Sequence, residues 1–476
     1  MYLGHLKDFS EVHAEGRIRD VVLTIPSFYT QSERAALLKA ADLADMKVLR
    51  LIDENTAAAV QFSVDRVYSN ETRRVMFVNI GGSASEISIV EFTSYKKAGK
   101  EASLGHVVAK AWDESLSSGE IDNQMTEILV EAFNAKHSAS LDGETKDIRD
   151  YLRPMQKLRK AAGKAVEVLS ANAEIPVSIE SLTSSVDFRH HISRGPFIKA
   201  LSPLLARVDA LIADALAEGN FTNADIDDVE VLGGGVRVPA IQERLRKVLA
   251  VEKGTKRTLG VRLNGDEAMA LGSAFVAANI STAFKVRHVG MVDTTPFAIG
   301  ARMTEAPREK ETESESESAD GAVDEGEKKQ EEDDDESAEG GEGESKKTWH
   351  KRASLYRKYA SLGKAKRVSF QHDQDLVATL YYEASARLPE GTNQVIGRYN
   401  ISGVRDLMDG ELSHLGAPKI TLHFKLTDNG MARLPRAEAQ WEETYFPSPS
   451  PVATPTPAAD SEPDSEAEST NGDETD

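Results

Sequence analysis

Two glycine clusters are the residues of this sequence best suited to hold a ligand. Gly81-Gly82-Ser83 lies between two short strand-like runs, residues 74–80 and 86–92, while Gly233-Gly234-Gly235 follows Val229-Glu230-Val231-Leu232 and precedes Arg237, Val238, Pro239 and a helical pattern over residues 240–249. Without a Cβ the backbone can bring its N–H groups onto a phosphate, and a strand, glycine turn and helix in succession favour an anion. Each cluster alone is also an ordinary tight turn. Together, about 150 residues apart and each leaving a strand, they point to two halves gripping one nucleotide from opposite sides. Neither is a Walker A loop, because no Lys-Ser/Thr pair follows, and G-x-G-x-x-G is absent.

Other polar residues say less. Asn264-Gly265-Asp266-Glu267 precedes the small-residue run 268–274, which places acids on the first turn of a helix, and a capped helix accounts for that pattern equally well. Glu54 and His190-His191 are ambiguous; adjacent histidines point to opposite faces of a strand, and with no acid or cysteine spacing beside them no metal site is expected.

The 476 residues include 57 Lys+Arg against 78 Asp+Glu and no Cys, a length of roughly three domains without disulfides or cysteine-bound metal. Residues 305–347 hold 19 acidic and 6 basic residues and residues 446–476 hold 8 acidic and none basic, which accounts for the whole net charge of −21. The remainder is neutral, large enough for a sizeable core and not basic enough for a dedicated nucleic-acid binder. Both acidic stretches read as disordered solubilising segments, with contact to a basic partner as the alternative. No apolar run approaches the ~20 residues of a spanning helix, and residues 1–10 lack a signal peptide's pattern.

The elements around the glycines alternate. Residues 21–25 form a β-branched strand ending at Pro26; Thr30-Gln31-Ser32-Glu33 is a capping-box pattern opening a helix, and residues 48–52 are a buried strand. Residues 147–170 and 196–217 read as helical. After the first acidic stretch the period becomes two: Ile420, Leu422, Phe424 and Leu426 alternate with polar residues up to Asp428-Asn429-Gly430, Val377, Thr379 and Tyr381 alternate likewise, and residues 399–402 form a further strand. The expected fold is an α/β nucleotide-binding domain over residues 1–285, a linker and first β strand over 286–303, an acidic insert over 304–347, the rest of an antiparallel β-sandwich over 348–445, and a Pro-rich acidic tail over 446–476.

Ile25-Pro26-Ser27-Phe28-Tyr29, continued by Gln31-Ser32-Glu33-Arg34 and by residues 51–59, resembles the ATPase domain of the heat shock protein 70 family of chaperones. The hairpin 77–89, the loop 232–239 and the helix start 264–272 fall in that family's order, and residues 168–173 with the acidic insert are most similar to its large endoplasmic-reticulum branch, the hypoxia up-regulated chaperones. The likeness runs from about residue 19 to 439 and is most specific up to 279. It implies an actin-like nucleotide clamp for ATP/ADP with Mg²⁺, followed by a β-sandwich that holds unfolded polypeptides, in the lumen of the endoplasmic reticulum and beside a lumenal heat shock protein 70 chaperone. By position Glu54 and Asn79 stand at the catalytic places, Gly81, Gly82 and Ser83 at the phosphates, Gly233, Gly234, Gly235, Arg237 and Asp266 around adenosine and phosphate, and Ser170 at the adenine edge. Pro26 and Arg34 match the pair that relays nucleotide state.

The departures imply slow or absent turnover. Asn79 stands where the family has an aspartate, Gly163, Val166 and Glu167 replace a Glu, a Lys and an Arg around adenosine, and Ser117-Ser118-Gly119 replaces a Gly-Gly-Glu. The chain is expected to lack the first phosphate loop and the helical lid. Sequons at Asn70, Asn220, Asn279 and Asn400 suit a lumenal glycoprotein. The leading expectation is an allosteric chaperone acting as nucleotide exchange partner; the alternatives are an ATP-hydrolysing foldase or kinase of the same fold, and a nucleotide-independent holdase.

Overall fold

The computed structural model describes residues 1–66, 68, 71–97, 100–141, 145–184, 186–251, 259–260, 262–282, 286–307, 349–410 and 412–443. The sequon at Asn70, nearly all of the acidic insert and the whole acidic tail therefore lie outside the described residues. The chain opens on α1 (Tyr2–Ala14), a helix the composition does not announce. None of its residues is buried, and Lys7 ties it to the end of the next helix through the carbonyls of Ala44 (3.3 Å) and Asp45 (2.9 Å). Then come β1 (Asp20–Ile25), α2 (Gln31–Leu43), β2 (Lys47–Asp53) and α3 (Glu54–Ser63). The capping box is formed: Thr30 N donates to Glu33 Oε2 at 2.7 Å.

β3 (Arg73–Ile80), β4 (Ser85–Lys97) and β5 (Lys100–Asp113) form a meander, followed by α4 (Ser118–His137), α5 (Leu152–Ala171), β6 (Glu174–Ile179), β7 (Phe188–Ser193), α6 (Arg194–Ala200), α7 (Ser202–Gly219), β8 (Asp228–Leu232), α8 (Pro239–Val248), β9 (Leu259–Gly260), α9 (Ala268–Ile280) and β10 (Gly290–Val292). The strands make a six-stranded mixed sheet in the order β10-β5-β4-β3-β8-β9, with β3 parallel to β8. Its period-two pattern serves both faces. Met76, Val78 and Ile80 pack with Leu129, Phe133 and Leu211 on one side, while Val75 and Phe77 pack with Ala58 and Phe62 on the other. The result is an α/β layered core.

The acids before α9 differ from expectation. Asp266 and Glu267 lie in the turn ahead of the helix rather than in its first turn, because α9 begins at Ala268.

The remaining strands are β11 (Ile299–Glu305), β12 (His350–Tyr356), β13 (Ala365–Gln371), β14 (Leu376–Tyr382), β15 (Val395–Ile401), β16 (Lys419–Leu426) and β17 (Ala432–Gln440), with the short helix α10 (Val404–Asp409) between β15 and β16. They form two antiparallel sheets, β12-β11-β14-β15 and β13-β16-β17. Ile299, Met303 and Leu380 of one sheet share a core with Ile420, Leu422 and Phe424 of the other. In β14 Leu376, Ala378, Leu380 and Tyr382 face the shared core, so Val377, Thr379 and Tyr381 occupy the opposite face, where Thr379 is still buried. Of Asp428-Asn429-Gly430 only Gly430 takes a positive φ, 73°.

Contact between α3 and α9 shows how tightly the α/β core is specified. A Cβ on Gly272 would sit 1.9 Å from the carbonyl oxygen of Ala57, and Ala57, Ala58 and Ala59 are fully buried. Backbone on backbone leaves no flexible atom to yield. Gly272→Val is expected to lower the free energy of unfolding by about 3 kcal/mol or more in urea titration; an unchanged midpoint contradicts this packing.

Candidate functional site

β3 and β8 are parallel neighbours in register, Asn79 opposite Leu232, so both glycine loops leave the carboxyl ends of adjacent strands, a common place for ligands in α/β sheets. Close approach is what demands glycine. At Gly233 φ is 81° and a Cβ would lie 2.3 Å from Ile80 O; at Gly235 it would lie 2.3 Å from Ile80 Cγ2. A Cβ on Gly265 would come 3.3 Å from Gly233 N, bringing the turn before α9 into the same cluster. Arg237 and Asp266, both largely exposed, bridge those two loops at 2.5 Å.

The start of α4 closes the other side. Ser118 N donates to Gly81 O at 2.8 Å and Gly119 N to Gly82 O at 3.2 Å, and a Cβ on Gly119 would stand 2.8 Å from Gly82 O. Gly81 N donates to Ala84 O at 3.0 Å. The carbonyls of this loop are thus turned inward, and among the described residues the amides of Gly82 and Ser83 meet no protein acceptor. Amides without a protein acceptor, on exposed residues of a loop that carries only small side chains, suit an anionic phosphate.

Glu54 begins α3 beside this loop. Asn79 Nδ2 donates to Glu54 Oε2 at 2.9 Å. Burial pushes the Glu54 carboxyl up, the Asn79 amide works in the opposite sense, and the neighbouring Asp53 adds to the rise. A half-buried carboxylate in this position could face a hydrated Mg²⁺, but Asn79 offers an amide where a second carboxylate would be repelled. Ser170, in the last turn of α5, donates its hydroxyl to Val166 O at 2.8 Å and takes no part in the bonds that join the loops. Gly163 lies against Asp122 of α4, whose carboxyl is raised by burial and then by Glu167.

Sequence reasoning missed Glu86, the cross-strand partner of Asn79 in the hairpin. That register is the signal that could have found it. Glu86 is 3% exposed and accepts Ser27 N at 3.1 and 3.3 Å; burial, with Glu54 nearby, pushes it up to about 8. Ser27 O in turn accepts Arg34 Nη2 at 3.4 Å, and Tyr29 N donates to Pro26 O at 3.2 Å. Pro26-Ser27 therefore connects the Gly81-Gly82 hairpin to Arg34.

Arg34, almost wholly buried, leads to the β sheets. Its Nε donates to Tyr29 O at 2.8 Å and its Nη1 to Asn429 O at 3.2 Å. Gln31 donates to Gly430 O at 2.6 Å and accepts Ala432 N at 2.9 Å, Tyr382 OH accepts Gln31 N at 2.9 Å, and Asn429 Oδ1 accepts Leu51 N at 2.9 Å. The Asp428-Asn429-Gly430 turn thus docks on the start of α2 and the strand beside it.

The remaining singled-out residues are scattered. Asn220 is exposed in the left-handed position that ends α7, and Asn400 is exposed on edge strand β15. Asn279 is half-buried in α9 with its amide donating to Phe275 O at 3.0 Å. His190 and His191 lie on β7, the latter 3.6 Å from Glu174.

The sequence model of the Hsp70 protein family matches residues 1–337. Heat shock 70 kDa protein 17 of Arabidopsis thaliana is 30% identical over 454 residues, covering 94% of this chain and 47% of that protein. Hypoxia up-regulated protein 1 is 30% identical over 463 residues in Xenopus tropicalis, covering 95% of this chain and 65% of the relative, and 30% over 455 residues in Gallus gallus, covering 93% and 41%. The chain thus spans between about two fifths and two thirds of these relatives' lengths.

Glu86 yields a pH test. Its folded pKa lies above the ordinary 4.5 of a glutamate, so the folded state holds the extra proton between the two values and stability falls as pH rises from about 4.5 to about 8. Relative to Glu86→Gln, the parent chain is expected to lose on the order of 4 kcal/mol between pH 5 and pH 9 in urea unfolding. Parallel stability profiles for the two proteins contradict the assignment.

Proposed function

The chain belongs to the Hsp70 protein family, and from that premise we propose that it is an ATP-binding molecular chaperone that holds unfolded polypeptides in its antiparallel β-sandwich and works by allostery rather than rapid hydrolysis. The observation that carries this reading is the continuous path from the Gly81-Gly82 hairpin through Glu86, Ser27 and Arg34 to Asn429 of the β16–β17 turn. A ligand that shifts the hairpin would bind the docked and undocked arrangements of the β sheets with different affinity, which allosteric coupling requires.

The residues present fit a nucleotide. The amides of Gly82 and Ser83 and the glycine-lined loop at Gly233, Gly234 and Gly235 would hold phosphates, Arg237 and Asp266 would sit beside them, and Glu54 would face the Mg²⁺ shell. Bound Mg-ATP supplies a phosphoanhydride and its charge; the chain's own part is to bind and orient it, with Ser170 proposed at the adenine edge and Pro26 with Arg34 as the relay. Asn79 cannot take a proton as an aspartate could, which supports weak or absent turnover.

The nucleotide-binding unit is proposed as residues 1–285, with linker 286–303, acidic insert 304–347, sandwich 348–445 and tail 446–476. Residence in the endoplasmic-reticulum lumen, and work as co-chaperone or nucleotide exchange factor for the lumenal heat shock protein 70, follow the resemblance to the large branch. Exposed Asn220 and Asn400 support glycosylation there; Asn70 and Asn279 are candidates on sequence alone.

Calorimetric titration of the chain with Mg-ATP and Mg-ADP, followed by binding of a labelled apolar peptide, tests the proposal. Saturable nucleotide binding that changes peptide affinity about tenfold, with the change abolished in Arg34→Ala, is the expected result. Peptide binding indifferent to nucleotide supports a passive holdase instead. Asn79→Asp is expected to raise ATP turnover at least tenfold if the missing carboxylate limits chemistry; an unchanged rate in a protein that binds ATP contradicts that role for position 79.

A further inference from the structure

The three-stranded sheet β13-β16-β17 turns one face to the shared core and, among the described residues, leaves the other without a partner element. Ile420, Leu422 and Phe424 point inward, so the register sends Lys419, Thr421, His423 and Lys425 outward, with Arg367 and Arg436 opposite His423 and Arg433 opposite Lys425. Arg367, Lys419, Lys425, Arg433 and Arg436 are all exposed. Against these five cations the outward register positions hold a single carboxylate, Glu438, and it is engaged by Arg436 at 2.5 Å and His423 at 3.3 Å. Like charges on neighbouring strands repel, and an anionic segment laid over them relieves that repulsion.

We propose that this face is the docking site of the chain's own acidic tail, with the carboxylates of residues 460–476 lying over the cationic strands. Charge complementarity is the first argument: residues 446–476 carry 8 acids and no base, whereas the acidic stretch 305–347 mixes 6 bases among its acids. Position is the second. The tail continues directly from β17, the strand that supplies Arg433 and Arg436, while the other acidic stretch leaves from β11 in the opposite sheet. Length is the third. The uncharged residues 446–459 reach at most about 50 Å, and a strand the size of β17 is only about 30 Å long, so the first carboxylate, Asp460, reaches any point of the sheet. The tail then neutralises a face that otherwise attracts foreign anions.

Zero-length carbodiimide cross-linking of the full chain, mixed with an isotope-labelled copy and read by mass spectrometry, tests this. Links from tail carboxylates to Lys419 or Lys425 within one copy are expected, falling at least about fivefold between 50 and 500 mM salt as exposed charges are screened. The triple variant Arg367→Ser, Arg433→Ser, Arg436→Ser is expected to lose about the same factor at low salt. Arg302→Ser, Arg352→Ser, Arg398→Ser, on the outer side of the four-stranded sheet, is expected to leave the yield unchanged. The salt series on the unaltered chain stands even if a variant fails to fold. Links to Lys419 and Lys425 from carboxylates of residues 305–347, links only between copies, equal loss in the control variant, or no links above a heat-denatured sample each overturn the proposal.

Discussion

Everything in this structure converges on one buried ammonium group. Lys110 has no exposed side-chain surface, and its Nζ donates to Asp53 Oδ2 at 2.6 Å, Asp293 Oδ1 at 2.7 Å and Thr294 O at 2.6 Å. Left alone, a charge at that depth would cost far more than a fold of this size can spare. Three acceptors in contact make it tenable, and Arg34, 3.4 Å from Asp53 Oδ1, balances two cations against two carboxylates. Burial works against the Asp293 carboxylate, yet Lys110 holds it below the usual range; burial pushes Asp53 up, with Asp293 adding to the rise. Removing any one partner strands a buried charge, a cost of about 3–5 kcal/mol.

That demand fixes geometry across the molecule. Asp53 ends β2 and immediately precedes Glu54, so the carboxylate beside the glycine loops is anchored through its neighbour. Asp293 opens the path into the β sheets, and Leu362 N donates to its backbone carbonyl at 2.9 Å. Tyr359 adds a second clasp: its hydroxyl accepts Lys110 N at 3.1 Å and lies 3.0 Å from both Lys110 O and Glu218 Oε2. The same few residues therefore seat the loops at one end of β3 and dock the antiparallel sheets. A disturbance at the hairpin therefore reaches the β sheets through Ser27 and Arg34, and in parallel through Trp112, the cross-strand neighbour of Glu86, which packs on Phe297.

Much of this was legible in the sequence, and the reason is local chemistry. Thr30 with Glu33, the glycine turns, and the alternation of Ile420, Leu422 and Phe424 are decided by neighbours a few residues away, and each formed as the spacing indicated. Charged residues inside apolar strands were not legible. Lys110 and Glu86 look like solvent-facing positions until distant partners, 57 and 183 residues away for Lys110, arrive. The phase of β14 was open for a similar reason, since Val377 and Leu376 are both apolar and only the facing sheet selects which set is buried. Pro26 and Arg34 came from the resemblance, whereas the pairing of the glycine loops was readable from their strands and spacing, and what the structure adds is the hydrogen-bonded path from the hairpin to Arg34.

Hydrogen exchange at two backbone amides tests the coupling most directly. Leu51 N is held by Asn429 Oδ1 and Ala432 N by Gln31 Oε1, and both bonds cross from the α/β layers to the β sheets. If nucleotide state acts through this contact, saturating Mg-ATP changes protection at Leu51 and Ala432 together, at least about tenfold relative to Mg-ADP, while amides deep in β3 stay unchanged. Bound nucleotide with both amides exchanging at the same rate in either state would contradict the account.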